Sequence, residues 1–261
     1  MFRNMIPFDS RVRKSIPFGM QRFRNFLLER VMLKSMKNAD LTIFISDYAR
    51  QIIEKRIALK NAITIPHGIN PLFRTQNLTL TAPEGLENVE YFLYVSRFDV
   101  YKHHLEVVKG YASLSDEIKN KYKLILIGET DNDLHLNTLQ FIKDNNLSEK
   151  VLILGPKKYT SLPSYYKNAS LILFASSCEN CPNIMLESMG SGNPVISSNI
   201  MPMPEFGKDA VEYFSPYSPE SITSAVQIFC IGCITLLVFS FRSRKNTIGA
   251  HVYKSCIDHC T

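Results

Sequence analysis

From residue 40 onward the chain alternates short apolar runs with stretches of helical periodicity. Leu41-Thr42-Ile43-Phe44-Ile45 reads as a strand, and Ser46 is placed to cap a helix over Asp47 to Arg56. Ala62-Ile63-Thr64-Ile65 follows as a second strand, closed by Pro66-His67-Gly68. Further strands are expected at Tyr91–Val95, Lys123–Ile127, Val151–Leu154, Ser170–Phe174 and Pro194–Ile196. Helical patterns at His103–Leu114, Asp133–Asn145, Ser161–Asn168 and Pro182–Met189 separate them. The strands are almost unbroken Val, Ile, Leu and Phe, which is how strands covered on both faces of a parallel sheet read. Strand–helix repetition at this spacing predicts right-handed βαβ units in a doubly wound α/β domain. Ligands of such sheets sit at the carboxyl ends of the strands, so the loops there are where chemistry is expected.

Residues before 40 follow another pattern. Met20, Phe23, Phe26, Leu27, Val31 and Leu33 share one side of a helix that Arg30 and Lys34 interrupt. Such a face suits packing against a further domain or lying on a membrane surface.

Composition changes this picture little. The 261 residues, 45% hydrophobic and 21% charged, exclude a disordered or fibrous chain. Charge adds more. Of the net +6, residues 1–60 carry thirteen Lys/Arg against five Asp/Glu, leaving the rest slightly acidic. A basic amino-terminal stretch points to an anionic partner, lipid phosphate or a phosphorylated carrier. Without a recognition helix, zinc-finger spacing or aromatics interleaved with the basic residues, nucleic acid is not expected.

The six cysteines include two C-x-x-C pairs, Cys178/Cys181 and Cys230/Cys233, too far apart for a zinc ribbon. No metal is expected. The opening residues lack an apolar core like that of a secretory signal, so reduced thiols and a cytoplasmic location are expected.

Two loops hold candidate chemistry. Arg97 and Lys102 follow the strand Tyr91–Val95 just ahead of a helix, where two cations and a helix amino terminus suit a diphosphate. The second loop follows Leu171–Phe174. It puts Glu179 ahead of a helix opened by Pro182, and Glu187 about a turn and a half inside that helix. Two carboxylates so spaced can meet one elongated ligand at two points.

These residues carry a resemblance. Glu179 and Glu187 resemble the E-x7-E signature of the retaining GT-B glycosyltransferases of family 4, and Glu187-Ser188-Met189-Gly190-Ser191-Gly192-Asn193-Pro194-Val195-Ile196 is similar to that family's E-A-M-A-x-G-x-P-V-I. Ile65-Pro66-His67-Gly68-Ile69-Asn70 resembles its I-P-N-G-V-D turn, Val95-Ser96-Arg97 through Lys102 its V-G-R…K stretch, and Pro204-Glu205 its terminal P-E. The resemblance implies a Rossmann-like carboxy-terminal half of a GT-B fold over residues 61–227, preceded over 1–60 by a remnant of the acceptor-side domain. It implies that Arg97 and Lys102 neutralise a nucleoside diphosphate, Glu187 binds ribose and Glu179 binds donor-sugar hydroxyls, with the backbone of Cys181, Pro182, Asn183 and Ile184 near sugar and phosphate. It further implies glycosyl transfer with retention from a nucleotide-sugar to a saccharide or lipid-linked acceptor, without cofactor or metal, in surface polysaccharide or lipopolysaccharide assembly in the cytoplasm or at the inner membrane face. A non-catalytic nucleotide-sugar-binding fragment is the other expectation.

Residues 228–261 depart from the family. The apolar run 225–241, followed by basic residues 242–245, suits either a short membrane anchor or a reading-frame slip, and the slip, which also accounts for the lack of Trp, is the preferred expectation.

Overall fold

The computed structural model describes residues 5–16, 18–75, 78–130 and 133–240. In chain order come α1 (Ser10–Ser15), α2 (Met20–Asn38), β1 (Thr42–Phe44), α3 (Asp47–Glu54) and β2 (Ala62–Thr64). Then follow β3 (Tyr91–Val95), α4 (His104–Ala112), α5 (Asp116–Lys121), β4 (Lys123–Ile127), α6 (Asp133–Asp144) and β5 (Val151–Ile153). The rest is α7 (Leu162–Asn168), β6 (Leu171–Phe174), α8 (Asn183–Gly190), β7 (Val195–Ser198), α9 (Met203–Gly207), β8 (Glu212–Phe214) and α10 (Pro219–Ser240).

Strands β3 to β8 form one sheet in the order β5-β4-β3-β6-β7-β8, with every neighbouring pair parallel. The order runs outward in one direction from β3 and in the other from β6, so the sheet reverses between them. That reversal leaves a crevice at the carboxyl ends of β3 and β6. Every residue of β3 is buried, because both faces of this strand are covered. Two tyrosines are tolerated there because their hydroxyls find backbone acceptors: Tyr91 donates to Tyr165 O at 2.8 Å and Tyr94 to Lys102 O at 2.6 Å.

The expected strands and helices are present, mostly trimmed by a residue or two at their ends. Asp116–Lys121, Met203–Gly207 and Glu212–Phe214 are additional elements, each too short to stand out as a periodic pattern. Strand β7 runs further than expected, through Ser197 and Ser198. These serines are fully buried, and Ser198 Oγ donates to Ser176 O on the neighbouring loop.

Strands β1 and β2 form a separate two-stranded parallel sheet. Around it Met5, Phe8, Val12, Met36, Phe44, Ala49 and Ile53 gather into an apolar cluster. Helix α3 is held at its start by two caps. Ser46 Oγ accepts from Ala49 N at 3.2 Å, and Glu205, from α9, accepts from the Asp47 and Tyr48 amides at 2.8 and 2.9 Å. Helix α2 turns Asn25 and Met36 inward. Its outer side exposes Met20, Phe23, Phe26, Leu27 and Val31, whereas Leu33, assigned to the same side by the pattern, packs against the apolar cluster.

Helix α10 lies along α4 at close range. Thr223 Oγ1 donates to Gly110 O at 2.9 Å, and a Cβ at Gly110 would come within 2.9 Å of Pro219 O. Among the described residues no helix is long and apolar enough to cross a membrane. The basic residues 242–245 and the site of the expected frame slip lie outside the described residues.

Gly128, directly after β4, sets the spacing between β4 and the loop leaving β3. A Cβ there would stand 1.8 Å from the Ser96 carbonyl oxygen, so any side chain must push two backbone segments apart. Gly128→Ala is expected to destabilise the chain by about 1–3 kcal/mol, the usual size of an overpacking defect. In urea unfolding this appears as a lower midpoint with an unchanged slope; an unchanged midpoint would show that the loop yields freely.

Candidate functional site

The loops leaving β3 and β6 face each other across the strand-order reversal and are tied together. Ser177 N donates to Tyr101 O at 2.8 Å, and His103 Nε2 lies 2.8 Å from Ser177 Oγ. Lys102 on the first loop pairs with Glu179 on the second. The Lys102 ammonium also sits over the rings of Tyr101 and Phe174, at 5.2 and 5.5 Å from their centroids. Only 7% of the Lys102 side chain and 18% of that of Glu179 remain exposed. Both charges are largely withdrawn from water, and each is compensated by the other.

Arg97 behaves differently. Its side chain is 62% exposed and reaches Asp99 at 3.1 Å. It lines a cleft of about 350 Å³ with Ser96, Gly128, Glu129, Lys157 and Ile184 at the ends of β3, β4 and β5. The two expected cations therefore lie at the same switch point but in different environments: Arg97 opens into the cleft, whereas Lys102 is turned onto Glu179.

Helix α8 carries the other expected residues. Pro182 precedes it, and no side chain caps its amino terminus. Cys181 is buried with Ile45 and Leu186, which anchors the loop to the β1 side of the molecule. Cys178 packs in the separate cluster around Phe44, and burial pushes its thiol far above the usual range. Among the described residues no three His, Cys, Asp or Glu side chains stand close enough to hold a metal ion.

Asn183 and Glu187 line a second cleft of about 500 Å³ with Gly68, Ile69, Asn70, Pro71 and Tyr159. The two clefts meet on α8, where Ile184 faces one and its neighbours the other. Here three contacts were not legible in sequence. Tyr159 donates its hydroxyl to Glu187 Oε1 at 2.8 Å, His67 Nδ1 lies 3.1 Å from Asn183 Oδ1, and Ser46 Oγ donates to Asn180 Oδ1 at 2.9 Å. Each joins segments at least 28 positions apart, and no local pattern marks them.

Next to the site His104 is stacked between Tyr94 and Phe98, with centroid distances of 4.7 and 3.9 Å. Burial lowers its pKa to about 3, so it stays neutral and donates Nε2–H to Ser96 O at 3.2 Å. It supports the Ser96 turn and supplies no charge.

A parallel sheet of this strand order, with its polar loops gathered at the reversal, is a doubly wound, Rossmann-like domain. The family described as "Glycosyl transferases group 1" matches residues 80–230, more than half of the chain, and the chain belongs to that family.

Among curated relatives it is 28% identical over 149 residues to the N-acetylgalactosamine-N,N'-diacetylbacillosaminyl-diphospho-undecaprenol 4-alpha-N-acetylgalactosaminyltransferase of Campylobacter jejuni, covering 54% of this chain and 38% of that protein. It is 23% identical over 209 residues to the O-antigen chain mannosyltransferase B of Escherichia coli, covering 76% and 54%. The chain thus spans about half, or less, of the length of these relatives. Among solved structures, HepE of Anabaena in complex with UDP and glucose superposes with a TM-score of 0.67 at 18% identity, over 79% of this chain and 57% of that one. A glycosyltransferase from Rickettsia africae superposes with a TM-score of 0.66 at 20% identity, over 94% and 61%. These two likenesses concern the fold.

Glu187 is 8% exposed, and burial pushes its carboxyl above the ordinary 4.5, against a smaller opposing effect of the Tyr159 hydrogen bond. A carboxyl raised in the folded state favours folding below its unfolded pKa, and this advantage is lost as pH rises through the folded value. At neutral pH the ionised group is therefore held at a cost. Glu187→Gln, which keeps an acceptor for Tyr159, is expected to raise Tm at neutral pH, with the gain vanishing at pH 4.5 and below. Calorimetric melts of both proteins across that range check the sign; a gain that persists at acid pH would assign it to another cause.

Proposed function

We propose that the chain is the donor-binding part of a glycosyltransferase that moves a glycosyl group from a nucleoside-diphosphate sugar to an acceptor hydroxyl, with retention at the anomeric carbon. The observation that carries this reading is the Lys102–Glu179 pair joining the two switch-point loops, with Arg97 and Glu187 lining the two clefts that meet on α8, in a chain of this family. Arg97, at the mouth of the cleft, takes the diphosphate together with Lys102 and the uncapped start of α8. These groups neutralise the leaving nucleotide without a metal ion. Glu187 accepts from the ribose hydroxyls and Glu179 from hydroxyls of the sugar. The backbone of Cys181, Pro182, Asn183 and Ile184 borders the sugar and phosphates, and the base lies against the Gly155–Lys157 loop.

The acceptor class follows the relatives. One is named for a diphospho-undecaprenol substrate and another for O-antigen chains. A lipid-linked acceptor in surface polysaccharide assembly suits the outer side of α2, where exposed Phe23, Phe26, Leu27 and Val31 alternate with Arg30 and Lys34. The one acid of α2, Glu29, is turned away from that side and pairs with Arg13 and Arg56. A peripheral place on the inner face of a membrane is part of this proposal.

Thermal shift of the chain with UDP, GDP, ADP and CMP tests the donor site. A nucleotide at about a hundred times its dissociation constant adds about 2.7 kcal/mol of stability. The expected outcome is a shift with one diphosphate that Arg97→Ala and Glu187→Ala both abolish. No shift with any nucleotide, or a shift that both variants retain, would refute the assignment. Binding without transfer from the matching nucleotide-sugar would leave a binding module in place of an enzyme.

A further inference from the structure

The Lys102–Glu179 pair joins the two switch-point loops, where the donor-site reading brings both the diphosphate and the sugar of a donor. Each of the two charges already has its partner. Lys102 is buried against Glu179, Tyr101 and Phe174, while Arg97 alone of the two cations opens into the cleft. A diphosphate that draws the ammonium towards itself removes the one cation that, among the described residues, pairs with Glu179. A largely buried carboxylate left without a partner is costly. Sugar hydroxyls can supply the missing donors, because a carboxylate accepts several hydrogen bonds.

Resting on the donor-site reading above, we infer that Lys102 and Glu179 form a latch that exchanges partners on donor binding, so that the site prefers an intact nucleotide-sugar to the free nucleoside diphosphate. In the exchange Lys102 passes from Glu179 to the phosphates, and Glu179 passes from Lys102 to the sugar hydroxyls. The free diphosphate drives only the first half and leaves the carboxylate bare. The same geometry that secures the donor therefore weakens the hold on the product nucleotide. Glu179 acts here as a specificity determinant through its pairing with Lys102, in addition to any contact with the sugar.

Simple repulsion between Glu179 and a diphosphate would also weaken nucleotide binding, and a double-mutant cycle separates the two. Dissociation constants are measured by calorimetry for UDP against UDP-glucose and for GDP against GDP-mannose, on the unmodified chain, Glu179→Gln, Lys102→Met and the double variant. The latch predicts that the unmodified chain binds one nucleotide-sugar more tightly than its diphosphate. Glu179→Gln should bind that diphosphate about tenfold more tightly and lose the preference, whereas in the Lys102→Met background the same change should alter affinity by less than about twofold.

Tightening of equal size with and without Lys102 would leave only repulsion and overturn the latch, as would a Glu179→Gln variant that keeps the preference. In both cases the donor-site reading would stand. If the unmodified chain bound none of these four ligands and none of the nucleotides of the thermal-shift series, the donor-site reading itself would fall and the latch with it; where ADP or CMP alone binds, that nucleotide and its sugar conjugate take the place of the four in the same cycle. Should Lys102→Met not melt cooperatively, Lys102→Gln replaces it, and the ratio measured on Glu179→Gln alone still decides whether the preference depends on this carboxylate.

Discussion

The reversal of strand order between β3 and β6 is the constraint on which the rest of the structure depends. Strand β3 is covered on both faces, so its sequence has no freedom to be polar except where a hydroxyl meets a backbone carbonyl, as at Tyr91 and Tyr94. The loops leaving β3 and β6 face each other at the crevice that this reversal opens. Polar chemistry denied to the strands is collected there. The close backbone approach at Gly128 and Ser96, the neutral His104 beneath the turn and the Ser177–Tyr101 bond all hold that crevice in shape. None of them has to touch a ligand to matter to one.

Much of this was legible in the sequence because burial on both faces leaves a plain signature. Runs such as Lys123–Ile127 and Leu171–Phe174 have a single reading once the helical segments between them are counted. The loops followed, since their place is given by the strands. What escaped were relations between distant segments. Nothing local to Tyr159 says that it meets Glu187, and nothing around Lys102 says that its ammonium lies under Glu179 and beside two rings instead of in the open cleft. Spacing told which loop a cation belonged to, and packing alone told which way it turned. The short elements α5, α9 and β8 were missed for another reason: in three to six residues neither period has room to show itself.

The carboxyl sites display a conflict between holding a structure and serving a ligand. Glu187 is kept ionisable in a place that disfavours its charge, with one tyrosine hydroxyl as compensation. Glu205 shows the contrasting case. Its carboxylate accepts from two orphan amides at the start of α3, so the helix gains a cap and the charge gains donors. The second arrangement is self-sufficient and ties β1 and α3 to the larger sheet. The first is incomplete without further donors, as expected where a ligand is to provide them.

Pairing at Lys102 and Glu179 belongs between these cases. As a structural bridge it closes the gap between the two switch-point loops, yet buried ion pairs add little net stability compared with apolar contacts of equal volume. A bridge retained only for stability would be poorly placed where two loops diverge and a cleft begins. Its position makes more sense if its weakness is the useful property: two charges that satisfy each other, each able to change partner when a ligand brings an anion and a set of hydroxyls together. The Glu179 loop is anchored on Ile45 and Leu186 through Cys181, and on Ser46 through Asn180, so the loop that carries the carboxylate is fastened to the β1–α3 side of the molecule as well as to the sheet.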